Sequence, residues 1–309
     1  MMRSSLSLVV KSFAKLNLYL QVLSKRKDNF HNLSTLFARI DLADTIIFRK
    51  RSDGLIKIKT DSLDVPKDKT NLCYRAAALL QQEYKLSSGV QIELKKCIPV
   101  GAGLGGGSSN AASVLLGLNK FWDLNLSKTK LLNLGAKLGS DVPFFIHQVK
   151  FALGSQRGDK VKPLISLHKL KLWFILIYPN FKVSTPLVYQ KFDSCLPAGK
   201  AGLPAGKAFS KLTRPRGNVK ILTSQLLKKG KAVDASCLFN GLEVITSNLY
   251  PVINQVKNTL SNMGLDKVMM SGSGPAVFAI CDSCIQAQSL RNKLGRRHKS
   301  WRFFVTSTV

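Results

Sequence analysis

Ile98-Pro99-Val100-Gly101-Ala102-Gly103-Leu104-Gly105-Gly106-Gly107-Ser108-Ser109-Asn110-Ala111-Ala112 is the stretch on which the reading of this chain turns. Five glycines fall within the seven positions 101–107, and two hydroxyls and an amide follow. Glycine has no Cβ, so such a loop takes positive φ and brings backbone N–H groups close to a ligand. Ala111, Val114, Leu115, Leu118 and Trp122 then recur at helical spacing, which predicts a helix opening directly from the loop. Free N–H groups and the positive dipole end converge at a helix N-terminus and favour an anion. The loop reads as a phosphate cradle. The plainer alternative is a glycine-rich turn without a ligand, but a merely structural turn seldom needs so many glycines.

Two other cradles are excluded. A Walker A loop ends in Gly-Lys-Ser/Thr, and no lysine stands between Gly107 and Ser108. The dinucleotide pattern matches by letter at Gly101, Gly103 and Gly106, with Asp123 at a plausible distance. Its context fails, because a second strand should follow the helix and end in the acidic residue. Here Asp123 closes the first helix and Ser127 caps another, with Leu131, Leu132, Leu134 and Leu138 as its apolar residues.

A chain of 309 residues suggests two domains and buries a sizeable core. With 45% hydrophobic and 21% charged residues it has the composition of a soluble globular protein. No apolar run approaches a membrane span, and Leu6-Ser7-Leu8-Val9-Val10 before Lys11 is too short for a signal-peptide core. The expected location is cytoplasmic. The net charge of +30 fits either a polyanionic partner such as RNA or a lysine-rich, solvated surface that also steers anionic substrates. Basic residues are spread along the chain, with short clusters at Lys25-Arg26-Lys27, Lys228-Lys229 and Arg296-Arg297-His298-Lys299, which favours the second reading over a nucleic-acid partner. The six cysteines, at 73, 97, 195, 237, 281 and 284, are expected as free thiols. Cys281-Asp-Ser-Cys284 is a lone CxxC with no second ligand pair for zinc, and its spacing reads as incidental.

From the N-terminus, Phe13, Leu16, Leu18, Leu20 and Val22 are apolar, while Lys15, Asn17, Tyr19 and Gln21 share the opposite face of a half-buried strand. Lys25–His31 is a polar turn. Residues 71–82 predict a helix with Asp68 or Thr70 as possible caps, and Val90–Leu94 a strand leading into the glycine loop. Gly139 is a candidate helix C-cap, and Asp141 is expected in a turn held by Pro143 and followed by an apolar strand. Residues 151–163 read as a crossing between domains, and 170–177 as a buried strand. Leu-Pro-Ala-Gly-Lys-Ala-Gly at 196–202 is nearly repeated at 203–208, and this Pro-, Gly- and Ala-rich composition reads as an insertion through about 193–217.

The glycine loop closely resembles the phosphate loop of the GHMP kinases, which include galactokinase, homoserine kinase and mevalonate kinase. Phe13-Ala-Lys-Leu-Asn-Leu18 is similar to the family's opening motif Pro-Ala-Lys-Ile/Leu-Asn-Leu, with Phe13 in place of proline. Residues 25–31 resemble Arg-x-Asp-Gly-Tyr-His, with Asn29 for glycine and Phe30 for tyrosine, and residues 33–46 follow the family pattern. Gly139-Ser-Asp-Val-Pro-Phe144 resembles the catalytic-base motif, and Val183-Ser-Thr-Pro-Leu-Val-Tyr189 resembles Val-Ser-Thr-x-x-Val-Tyr. Asn240-Gly-Leu-Glu243 and Tyr250-Pro-Val-Ile253 resemble Asn-Asp-Leu-Glu and Tyr-Pro-x-Ile, with Gly241 for aspartate. Met270-Ser-Gly-Ser-Gly-Pro-Ala-Val-Phe278 resembles the third family motif. The resemblance runs in order over about residues 11–280, and the triple glycine before Ser-Ser-Asn is most similar to the branch acting on a cytidine diphosphate-linked methylerythritol.

That resemblance implies an α+β fold of two domains. Residues 1–160 would form an ATP-binding domain like ribosomal protein S5 domain 2, and residues 161–309 a ferredoxin-like GHMP C-terminal domain, with the active site in the cleft between them. It implies ATP and Mg²⁺, with the metal ligands unassigned. Asp141 would be the base that accepts the hydroxyl proton, and Lys15 would keep it ionised and stabilise transferred charge. Lys96, Pro99, Gly101, Gly103, Leu104, Gly105, Gly106, Gly107, Ser108, Ser109 and Asn110 would hold the nucleotide. Asn17, Thr185, Ser271, Gly272, Ser273 and Gly274 would meet the substrate, with Phe30 and Tyr189 sandwiching cytosine and His31 hydrogen-bonding it. Other readings are a GHMP kinase of homoserine or mevalonate type, and a non-catalytic RNA-binding protein on an S5-like fold. A pseudokinase should have lost Lys15 or Asp141, and both are present.

Overall fold

The structure is a computed structural model that describes residues 7–195, 215, 217–232 and 234–309. The repeat at 196–208, the heart of the expected insertion, lies outside the described residues. The chain gathers into two compact units: Met1–Ala14, Leu42–Val100 and Gly105–Gln148 in the first, and Lys15–Asp41, Gly101–Leu104 and Val149–Val309 in the second. Two long strands, β1 (Ser7–Lys25) and β2 (His31–Arg51), are adjacent, and the unit boundary falls within both.

In the first unit, β3 (Ile56–Thr60) runs parallel to β4 (Gly89–Lys95), which pairs antiparallel with β2 from Thr45↔Lys95 to Arg51↔Gly89. Four helices belong to this unit: α1 (Leu72–Glu83), α2 (Gly106–Phe121), α3 (Lys128–Leu138) and α4 (Val142–His147). The predicted apolar stripe of α2 is buried at Ala111, Val114, Leu115 and Leu118, whereas Trp122 is its partly exposed C-terminal cap. A Cβ on Gly117 would stand 2.5 Å from the Phe48 ring, so the absence of a side chain lets α2 lie tightly on β2. The cap of α1 is Asn71, whose side chain accepts from Cys73 N, rather than Asp68 or Thr70. Ser127 caps α3 as expected. The strand expected after Asp141 is instead α4. Pro143 occupies its first turn, where the missing N–H costs nothing, and a short apolar run does not by periodicity tell a strand from a buried helix.

In the second unit, residues 33–38 of β2 pair antiparallel with β5 (Phe151–Gln156), which turns back into β6 (Lys160–Pro163). The stretch expected as an inter-domain crossing is therefore a β-hairpin. Tyr19 and Leu20 of β1 pair with the short parallel β8 (Phe239–Asn240). A separate antiparallel sheet has the order β11-β7-β10-β9, from β7 (Trp173–Tyr178), β9 (Val268–Met270), β10 (Val277–Cys281) and β11 (Arg302–Ser307). Among the described residues the unit's helices are α5 (Thr185–Ser194), α6 (Val219–Lys229), α7 (Glu243–Leu249), α8 (Val252–Ser261) and α9 (Cys284–Arg297). Ile175, Ile177, Val188, Ile253, Val256, Val277, Ala279 and Leu290 join one buried cluster, so sheet and helices share a core. Among the described residues no helix is long and apolar enough to cross a membrane.

Candidate active site

The unit boundary divides the glycine loop, with Gly101–Leu104 in the second unit and the residues from Gly105 in the first. Gly101 and Gly103 have φ of 68° and 75°, and Gly105, the N-cap of α2, has φ of 68°. These are left-handed conformations that favour glycine.

In the first unit α2 starts without a side-chain cap, unlike α1 and α3, which Asn71 and Ser127 cap. Ser109 N donates to Gly105 O at 2.8 Å, closing the first turn. The preceding amides of Gly106, Gly107 and Ser108 are first-turn donors that an α-helix leaves without an intrahelical acceptor. Gly107 is exposed and Ser108 partly so.

Behind this turn lies a buried polar network. Asp44, fully buried, accepts from Cys97 N (2.8 Å), Ile98 N (2.9 Å) and Asn110 Nδ2 (2.8 Å) and pairs with Lys96 Nζ. Asn110 Nδ2 also donates to Ser12 Oγ at 2.8 Å, and its Oδ1 accepts from Lys96 Nζ at 3.2 Å. Ser109 Oγ donates to Phe13 O at 2.6 Å. Its single proton is thereby used, so Ser12 Oγ is the donor in the 2.7 Å contact with Ser109 Oγ. Ser109, Asn110 and Lys96 thus hold the loop's frame, and Pro99 is buried beside them. Burial pushes the neighbouring Cys73 thiol up to about 12, so it is no nucleophile.

Asp141 is the partly exposed residue at the N-cap of α4, and its side chain makes no capping bond to that helix. A Cβ on Gly139, two residues earlier, would lie 3.8 Å from Ser108 Oγ. The structure thus brings the 139–141 turn beside the start of α2.

In the second unit, residues 101–104 are pinned by backbone bonds: Val183 N to Gly101 O (3.1 Å), Ala276 N to Ala102 O (3.2 Å) and Lys15 N to Leu104 O (3.0 Å). Ser271 Oγ donates to Gly103 O at 3.2 Å. A Cβ on Gly103 would stand 2.1 Å from Ser271 O, and one on Gly272 would meet Gly103 O at 2.9 Å and Asn17 Oδ1 at 3.4 Å. These glycines therefore exist as much for close backbone approach as for a ligand. Lys15 is buried, donates to Asn17 Oδ1, and lies over the Phe37 ring at 5.6 Å. Asn17 Nδ2 donates to Thr35 Oγ1 at 2.8 Å, and Thr35 Oγ1 to Tyr19 O at 2.7 Å, so a chain of bonds along β1 and β2 fixes the lysine. Asn240 Nδ2 donates to both Met270 O and Gly272 O at 2.8 Å, and Thr185 Oγ1 lies 2.7 Å from Ser273 Oγ. Lys15, Asn17, Gly103, Thr185 and the 271–274 turn, where Gly274 has φ of 83°, are thus linked in one cluster.

A second group stands at the β1–β2 turn. Asn29, which stands where the resembling motif has glycine, takes the left-handed φ of 63°, a conformation asparagine tolerates better than most residues. Phe30 is 52% exposed, with the Arg157 guanidinium 5.1 Å from its ring centre. His31 is buried, stacks with Tyr189 at 5.2 Å, and its Nε2 lies 2.7 Å from Asp193 Oδ1. Asp44, Ser12, Thr35 and Asp193 were given no role by the sequence. A carboxylate inside a strand is disfavoured, which was the one available signal for Asp44. The six cysteines are free, and burial pushes the Cys281 thiol up to about 11, against a redox role for the CxxC.

The first unit thus holds an uncapped glycine-rich helix start with the 139–141 turn beside it, and the second a buried lysine on a paired strand. Residues 71–148 match the model of the GHMP kinases N-terminal domain and residues 220–300 that of the GHMP kinases C-terminal domain, and the chain belongs to the GHMP kinase family. Within that family its relatives are 4-diphosphocytidyl-2-C-methyl-D-erythritol kinases. That of Enterococcus faecalis is 35% identical over 292 residues, covering 94% of this chain and 95% of the relative. That of Moorella thermoacetica is 39% identical over 287 residues, covering 93% and 94%. A crystal structure of a 4-(cytidine 5'-diphospho)-2C-methyl-D-erythritol kinase superposes with a TM-score of 0.75 at 31% identity, covering 98% of this chain and all of that one.

Proposed function

We propose that the chain transfers the γ-phosphoryl group of ATP to the 2-hydroxyl of 4-diphosphocytidyl-2-C-methyl-D-erythritol, in the cytoplasmic synthesis of isoprenoid precursors. The observation that carries the phosphate half of this reading is the uncapped start of α2, framed by the Asp44 network. Phosphoryl transfer asks a protein for positioning and charge stabilisation more than for covalent chemistry. The amides of Gly106, Gly107 and Ser108 take phosphate oxygens, and the Ser108 hydroxyl adds a further contact. Asp141 accepts the proton of the attacking hydroxyl, and Lys15, its ammonium held by Asn17, stabilises charge on the transferred group. Among the described residues no three His, Cys, Asp or Glu side chains gather as metal ligands, and no protein ligand is assigned to a Mg²⁺. A Mg²⁺ bound with the nucleotide would supply neutralisation of charge on the phosphates.

The same proposal takes the N-terminal part, to about residue 160, as S5-like and the remainder as ferredoxin-like, with the active-site cleft that the family resemblance implies. The four-stranded antiparallel sheet backed by α8 and α9 supports the second assignment.

A cytidine-bearing substrate needs a flat slot and a hydrogen-bonding partner for the base edge. Phe30, Tyr189 and His31 serve those ends here, and homoserine or mevalonate would have no use for them. Stacking is worth about 1–3 kcal/mol per base, and a lost buried hydrogen bond costs about 1–3 kcal/mol. Phe30→Ala and His31→Ala are therefore each expected to raise KM for the cytidyl substrate about tenfold or more, with KM for ATP unchanged. Phe30→Tyr is expected to be close to neutral. An unaltered KM in Phe30→Ala contradicts the cytidine assignment and leaves the broader kinase reading.

A further inference from the structure

We propose that Asp193 is a positioning residue that fixes the tautomer of His31 and thereby makes the site select cytosine over uracil. The proposal rests on the reading above for the base's presence at His31, and on geometry for the rest. Helix α5 carries Tyr189, Phe192 and Asp193 at spacings that share one helix face, and all three grip the same imidazole. Tyr189 stacks on it with planes 24° apart, Phe192 meets it edge-on at 6.1 Å and 83°, and Asp193 Oδ1 lies 2.7 Å from Nε2. The other carboxylate oxygen, Oδ2, accepts from Lys25 Nζ at 2.7 Å, so both oxygens are engaged and the carboxylate is held from two sides.

An ionised carboxylate only accepts hydrogen bonds. Nε2 of His31 must therefore carry a proton, and in the neutral ring Nδ1 is then an acceptor. Among the described residues Nδ1 has no hydrogen-bond partner, and it is not one of the buried atoms sealed from solvent. A free acceptor on a clamped ring meets the two pyrimidines differently. The exocyclic 4-amino group of cytosine donates, whereas the 4-oxo group of uracil accepts. Cytosine satisfies Nδ1, and uracil opposes it lone pair to lone pair. Sites built around such a hydrogen bond reject the analogue lacking it far more strongly than apolar pockets reject a missing methylene. His31 alone would carry no such preference, because the other tautomer presents an N–H at Nδ1 and suits uracil. Asp193 removes that freedom.

The test has two independent arms. In the ligand-free full chain labelled with ¹⁵N-histidine, the His31 signals, assigned by their loss in His31→Gln among four histidines, are expected to show the Nε2–H form. An Nδ1–H form overturns the proposal. In steady state, the ratio of kcat/KM for the cytidine and uridine versions of the substrate is expected to be about a hundredfold or more. It is expected to fall at least tenfold in Asp193→Asn, whose amide can also donate to Nε2, with KM for ATP unchanged. An unchanged ratio, or an equal loss on both substrates with a raised KM for ATP, overturns it. If the unaltered chain phosphorylates neither nucleotide substrate, the kinase reading is what fails, while the spectrum still reports whether Asp193 sets the tautomer.

Discussion

Asp141→Asn is expected to keep the fold and the affinity for ATP and to turn over about 10²–10⁴ times more slowly, the usual scale of general acid–base catalysis. The substitution is isosteric, and α4 has no side-chain cap at this position to lose. The amide cannot accept a proton at neutral pH, so proton removal from the substrate hydroxyl is the step the change is expected to slow. Ser108 and the amides at the start of α2 are untouched, which is why nucleotide affinity should hold. Single-turnover rates with calorimetric ATP titration separate the two quantities. A near-normal rate with binding intact removes Asp141 from the role of base.

Asp44→Ala is expected to be the most destabilising single change near the site. It strands the Lys96 ammonium, whose side chain is 8% exposed, and deprives Cys97 N, Ile98 N and one Asn110 N–H of their acceptor. Removing one partner of a buried ion pair costs about 3–5 kcal/mol, a large share of a total stability of about 5–15 kcal/mol. Urea unfolding should show the midpoint drop with little change in slope. Asp44→Leu combined with Lys96→Met, which removes both charges, should recover the part of the loss that the stranded ammonium causes and leave the part caused by the unpaired N–H donors. A loss below about 1 kcal/mol in Asp44→Ala, the scale of an exposed ion pair, contradicts a structural role for the network.

The parts of this molecule that were legible in the sequence are those whose signal is local. The helices α1, α2 and α3 carry unbroken apolar periodicity, β4 alternates, and the glycine loop announces itself by residues that few other structures require. The alternation of β1 marked a strand but not its burial: both faces are buried from Ala14 to Leu20, Lys15, Asn17 and Tyr19 included, so it is not the half-buried strand expected. The helix α4 was misread because six residues with five consecutive apolar ones contain no period to decide between helix and strand. The site divides the same way. Gly101–Ser108 could be singled out by composition, but whether Ser109 and Asn110 face a ligand or the interior depends on Ser12, 97 and 98 residues away, and on Asp44, 66 residues away. No local pattern encodes such partners. Asp193 was invisible for the same reason: its meaning comes from His31, 162 residues earlier in the chain. Gly103 and Gly272 show the converse, since their identity was legible while the cause, mutual backbone contact, was not.

The central claim is the pairing of this site with a cytidine-bearing alcohol, and one coupled assay of ADP release tests it most directly. The full chain with ATP and Mg²⁺ is offered 4-diphosphocytidyl-2-C-methyl-D-erythritol, homoserine and mevalonate at equal concentrations. The account predicts turnover on the cytidyl substrate alone, with kcat/KM at least about a hundredfold above either other alcohol. Equal or greater turnover on homoserine or mevalonate, or none on the cytidyl substrate, contradicts it.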